Sequence, residues 1–143
     1  MKSTNFEGSD TMARIPLVAQ QLAETPCTDF FGLVIYDLPG RDCAAKASNG
    51  ELATGELSTY ESSYIDPIVA AIKAAPNVAV ALIIEPDSLP NLVTNMNVTA
   101  CANAASDYKN GVAYAIKNLN LPNVAMYIDA GDEGWLGWNA NLC

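Results

Sequence analysis

Three apolar runs, each ending in acid, constrain this chain more than any other feature. Val80-Ala81-Leu82-Ile83-Ile84 runs into Glu85-Pro86-Asp87, Leu33-Val34-Ile35 into Tyr36-Asp37-Leu38-Pro39, and Val124-Ala125-Met126-Tyr127-Ile128 into Asp129-Ala130-Gly131. Short runs rich in β-branched residues read as strands buried on both faces. Pro86 cannot donate to a ladder, so its strand stops there. The carboxylates therefore stand at the C-terminal ends of strands, where parallel α/β sheets carry their chemistry.

Helical patterns separate the runs. One helix is expected from about Met12 to Ala23, opened by Ser9-Asp10-Thr11, with Ile15, Leu17, Val18 and Leu22 inward. A second begins at Ser58 or Thr59 and carries Tyr60, Tyr64, Ile65, Ile68, Val69 and Ile72 at helical spacing. A third runs from Cys101 to Leu119. Residues 1–10, the long loop over 39–56 and residues 131–143 read as irregular, and 87–99 as irregular or partly helical. The alternation predicts a parallel sheet of about three strands with three to four helices. The expected fold class is α/β, a partial (truncated), distorted β/α barrel, with residues 1–143 forming part of one such domain. The last strand would present an unpaired edge, which invites self-association.

Charge narrows the partners. Lys and Arg number 7 against 16 Asp and Glu, for a net charge of −9. That balance argues against nucleic acid and against an anionic membrane surface. No apolar run approaches the roughly 20 residues of a membrane span. Histidine is absent, which removes His-based triads, imidazole general bases and His-containing zinc sites. No GxGxxG follows the first strand, so a dinucleotide is not expected. Carboxylate oxygens would suit Mg²⁺ or Ca²⁺. The cysteines at 27, 43, 101 and 143 have no CxxC spacing. Spacing alone leaves open disulfides in an oxidising compartment or buried reduced thiols. Asn97-Val98-Thr99 is an acceptor tripeptide for N-glycosylation. Met1 to Glu7 lacks the apolar stretch of a secretory leader.

Sequential parallel strands bring their ends together, so Asp42, Asp87 and Asp129 are expected to face one cleft. Paired carboxyls there suit acetal hydrolysis: one donates a proton to the leaving oxygen while another stays ionised. Arg41 beside Asp42 would hold that aspartate ionised. Tyr36, Trp135 and Trp138 add flat surfaces on which a sugar ring stacks. Structural roles compete: Asp87 as a helix N-cap, Asp42 as an ion-pair partner of Arg41, the tryptophans as core, and Asp37 as structural rather than catalytic.

The segments 36–45, 84–89, 121–131 and 134–138 together closely resemble the fungal cellobiohydrolase II type of glycoside hydrolase family 6. The resemblance runs from about Asp10 to Leu142. It implies a secreted β-1,4-glucanase that inverts the anomeric carbon on a distorted β/α barrel. It implies no metal or organic cofactor, and cellulose or a β-1,4-glucan oligosaccharide as substrate. By motif, Asp87 resembles the general acid, Asp42 the second aspartate that supports it and the water relay, and Tyr36 the tyrosine beneath the distorted sugar. Ser48 resembles the loop serine that contacts the attacking water, Trp135 a stacking tryptophan and Asp10 a sugar-binding aspartate. Asp129 and Asp132 are further expected substrate contacts. The family also implies a Cys43–Cys101 disulfide; Cys27 and Cys143 then pair or stay free. Three departures stand out. Gly8 replaces a tryptophan, Asp132 replaces a histidine, and the family's later strands, with a late aspartate, are expected beyond Cys143. A catalytically inactive glucan-binding module or barrel fragment is the alternative function.

Overall fold

The computed structural model describes residues 2–4, 11–45 and 48–131. Four parallel strands form one sheet in chain order: β1 (Lys2–Thr4), β2 (Phe30–Ile35), β3 (Ala79–Ile84) and β4 (Val124–Ile128). The last three are the expected strands. β1 is new, since its stretch reads as irregular. Three polar residues carry no periodicity, and only pairing of Lys2 to Thr4 with Phe31 to Leu33 makes them a strand.

A 3₁₀ turn (Met12–Arg14) leads into α1 (Ile15–Glu24). Then α2 (Leu57–Thr59), a π-helical stretch (Tyr60–Ile65) and α3 (Asp66–Ala74) follow without a break. Pro67 explains the π-helical stretch. It has no N–H to give to the preceding turn, and the chain ahead of it widens until the Asp66 N–H reaches the Glu61 carbonyl five residues back. After β3 come α4 (Ser88–Thr94) and α5 (Thr99–Leu119). Among the described residues no helix is long and apolar enough to cross a membrane.

Phe31, Leu33 and Ile35 of β2 and Val80, Leu82 and Ile84 of β3 join one core with Val18 and Leu22 of α1, Ile68 and Ile72 of α3, and Ala104, Tyr108, Val112 and Leu119 of α5. Leu17 was expected inward but is exposed, because Val18 and Leu22 already fill the stripe. Gly111 lets α5 approach the loop after β2, for a Cβ there would stand 2.5 Å from Leu38 Cδ2.

The expectation of cover on both faces fails. Burial alternates along β2 and β3, because the helices pack on one face. On the other face Phe30, Ile83 and Tyr127 are exposed. The register sets Ile35, Ile84 and Ile128 level, so Tyr36, Glu85 and Asp129 leave the sheet together at one end. The fold is a partial α/β fold with its acidic strand ends gathered there.

Candidate active site

Three residues among those described, other than glycine, have positive φ: Asp42 at 54°, Glu85 at 45° and Asp87 at 61°. All three are acids: Glu85 and Asp87 follow β3 directly, and Asp42 lies in the loop after β2. A left-handed residue with a Cβ costs roughly 1–2 kcal/mol, and such strain collects at functional sites. Asp87 holds the N-cap position of α4, yet its side chain caps nothing. Its carboxyl is exposed, and its N–H donates to Asp129 Oδ2 at 2.7 Å. The other Asp129 oxygen accepts the Gly131 N–H at 3.0 Å.

The loop after β2 wraps around Arg41. The buried guanidinium lies over the Tyr36 ring, 4.2 Å from its centroid. It donates to the carbonyls of Tyr36, of Ser48 at 2.7 Å and of Asn49 at 3.2 Å. Its ionic partner is Asp37 at 3.8 Å, which corrects the expected pairing with Asp42. Asp42 Oδ2 instead accepts the Ser48 N–H at 2.8 Å. The next residue, Cys43, is disulfide-bonded to Cys101 at the start of α5. Tyr108 donates its hydroxyl to the Gly40 carbonyl at 2.9 Å. Gly40 has φ +70°, and a Cβ there would meet Thr54 Oγ1 at 2.5 Å.

Beneath the loop lies a buried acidic pair that the motifs do not single out. Glu85 Oε1 accepts the Asp37 N–H at 3.0 Å and the Tyr60 hydroxyl at 2.9 Å, and Oε2 accepts the Leu38 N–H at 3.4 Å. Burial raises Glu85 to about 8 against the pull of these donors. Asp37 is raised to about 7, first by burial and then by the Glu51 carboxylate, with Arg41 opposing. The Glu51 N–H lies close enough to draw Asp37 down a little, but neither Asp37 oxygen has a hydrogen bond of full geometry. Tyr64 donates nothing to this pair; its hydroxyl oxygen accepts the Tyr36 N–H at 3.1 Å. Burial raises Tyr36, and Arg41 opposes it. The available signal for Glu85 was an acid directly after an apolar run and directly before a proline.

Tyr36, Asp42 and Asp87 line one small pocket with Arg41, Pro86 and Tyr108. The three expected catalytic residues therefore share a site. Ser48 joins Asp42 from the loop, and Asp129 joins Asp87 from β4. Asp129 also borders a groove of about 520 Å³ on the open sheet face, with Phe30, Val34, Ile83 and Tyr127. The expected contacts Asp10, Asp132 and Trp135, together with Trp138 and Cys143, lie outside the described residues. Cys27 is an exposed free thiol. Among the described residues no three acidic or thiol groups are clustered as metal ligands.

Known proteins share this fold. The family described as "Glycosyl hydrolases family 6" matches residues 1–143. The 1,4-beta-D-glucan cellobiohydrolase CEL6C of Podospora anserina is 62% identical over 138 residues, which is 96% of this chain and 35% of that protein. Exoglucanase 3 of Agaricus bisporus is 54% identical over 144 residues, 99% of this chain and 33% of its own length. Among solved structures, cellobiohydrolase II (Cel6A) of Humicola insolens, in complex with glucose and cellotetraose, superposes with a TM-score of 0.87 at 43% identity. It covers 98% of this chain, and the chain covers 41% of it. The catalytic core of Cel6A from Chaetomium thermophilum gives a TM-score of 0.87 at 46% identity, covering 96% of this chain and 41% of its own. The chain thus spans about a third of the length of the curated relatives it matches.

Proposed function

The chain belongs to glycosyl hydrolase family 6, and on that premise we propose that it acts on β-1,4-glucan by inverting hydrolysis, with Asp87 as general acid. The observation that carries this reading is the shared pocket of Asp87, Asp42 and Tyr36, with both aspartates in left-handed backbone. Asp87 gives its proton to the glycosidic oxygen as the C1–O bond breaks. Water attacks C1 from the opposite face and its proton leaves through the Asp42–Ser48 side of the pocket. Tyr36, backed by Arg41, forms the floor under the sugar ring. Asp129 fixes the Asp87 backbone and reaches toward the adjoining subsite, while Asp10, Asp132 and Trp135 contact flanking sugars. The Cys43–Cys101 disulfide suits an extracellular setting, and the open sheet face suits self-association.

A second reading is glucan binding without turnover. The exposed Asp87 and the open groove beside Asp129 favour it, because water-exposed acids do less work than enclosed ones. Cellobiose release from a soluble glucan by the chain and by Asp87→Asn separates the two. Hydrolysis lost in Asp87→Asn supports catalysis. Background release from both, with heat on titration by cellotetraose, supports binding alone. Neither release nor heat removes both readings.

A further inference from the structure

We infer that Asn97 is an N-glycosylation site whose glycan covers the exposed Val93 and Met96 side chains at the turn between α4 and α5. Asn97-Val98-Thr99 is the only Asn-Xaa-Ser/Thr tripeptide among the 143 residues, and its middle residue is not proline. Position and exposure agree with the motif. Asn97 and Thr99 are both exposed, Asn97 in the turn and Thr99 as the first residue of α5. Val98 between them is extended, with φ −85° and ψ 121°. The acceptor amide thus precedes the helix and the hydroxyl stands at its first residue, both exposed. Two residues on, Cys101 is oxidised in a disulfide with Cys43. That places the turn in a chain whose chemistry suits the oxidising compartment where such glycans are added.

The second observation concerns what surrounds the turn. Val93 and Met96, four and one residues before Asn97, are 55% and 49% exposed. Each leaves about half of its surface in water, so a group laid over either removes apolar area from solvent. The apolar face of a sugar ring supplies one, as it does on aromatic platforms. In the transfer, Asn97 Nδ2 bonds to the anomeric carbon of a lipid-pyrophosphate-linked oligosaccharide. The bond from that carbon to the pyrophosphate oxygen breaks, the lipid pyrophosphate departs, and the amide gives up one proton. Nothing is oxidised or reduced. The inference stands apart from the reaction proposed above, since it does not use Asp87 or its pocket.

The full chain, secreted from a yeast or filamentous-fungal host, is measured by intact mass before and after a peptide:N-glycosidase. The expected result is a hexose ladder on two N-acetylhexosamines. The enzyme collapses it to a chain 1 Da heavier, as Asn97 becomes aspartate. The ladder is absent from Asn97→Gln and Thr99→Ala and persists in Thr99→Ser. The glycosylated chain is also expected to bind less of a hydrophobic dye than the enzyme-treated chain. A secreted wild-type chain with its disulfide formed and an unmodified mass overturns the site. A glycan with equal dye binding before and after removal overturns the covering role.

Discussion

The Asp37 backbone N–H donates to Glu85 Oε1 at 3.0 Å. The strand ladder has ended by that point, so a buried carboxyl group carries the pairing of β2 and β3 one step further. It also fixes the spacing of the two loops that hold Asp42 and Asp87. Removing it leaves two backbone donors and the Tyr60 hydroxyl buried without an acceptor. Glu85→Ala is expected to cost about 3 kcal/mol or more, at about 1–3 kcal/mol for each unsatisfied group. Glu85→Gln keeps one acceptor oxygen and should cost about half of that. Urea unfolding checks both. Equal losses below about 1 kcal/mol in the two variants would show that the clamp contributes little.

The same pair makes stability depend on pH. Folding raises Asp37 to about 7 and Glu85 to about 8, well above the values near 4 of unfolded carboxyls. The folded chain therefore holds protons that the unfolded chain has released. That contribution is whole below about pH 4 and is lost as pH rises through 7 and 8. Arg41, Glu51, Tyr60 and Tyr64 face the pair and set its size. The melting temperature is expected to be higher at pH 5 than at pH 8.5, and Asp37→Asn, which mimics the protonated form, should narrow the gap. A gap unchanged in Asp37→Asn would remove Asp37 from this account.

Much of the site was readable from the residues, for physical reasons that also explain the failures. Ile84-Glu85-Pro86-Asp87 announces a strand end because Pro86 breaks the ladder, and Asp87 stands where that break predicts. Tyr60, Tyr64, Ile68 and Ile72 announce their helix because all four bury, although the π-helical stretch ahead of Pro67 was not foreseen. Lys2 to Thr4 could not be seen as a strand, since pairing with β2 alone makes them one. The partner of Arg41 was misjudged because sequence adjacency favours Asp42, while the fold turns Asp42 to Ser48 and buries Asp37 beside the guanidinium. The helices cover one face of apolar strands that read as buried on both, because apolarity reports what a strand can bury and not what covers it.

The disulfide ties the loop of Asp42 to the start of α5 across 58 residues of sequence. Closing a loop of that length restricts the unfolded chain by about 4 kcal/mol in the chain-entropy account. Unfolding in urea with and without reductant is expected to show a loss approaching this figure. The Cys43→Ser/Cys101→Ser double variant should show the same loss and no further sensitivity to reductant. A reductant effect that persists in the double variant would assign the loss to some other thiol, with Cys27 the first to test.

The open sheet face makes the last prediction. Phe30, Ile83 and Tyr127 are 41%, 44% and 62% exposed and line one apolar groove with Val34 and Ala81. Burying a side chain of this size is worth about 1.5–3 kcal/mol, so a face that leaves three in water favours association. The net charge of −9 opposes it, but salt screens that repulsion over about 10 Å at 0.1 M ionic strength. The balance predicts a mass by light scattering that rises with protein concentration and rises further with salt. Ile83→Lys places a charge in the centre of the groove while leaving the covered face intact. It should hold the chain monomeric without lowering its melting temperature by more than a few degrees. A wild-type chain that stays monomeric in high salt at every concentration would mean that the exposed face drives no association.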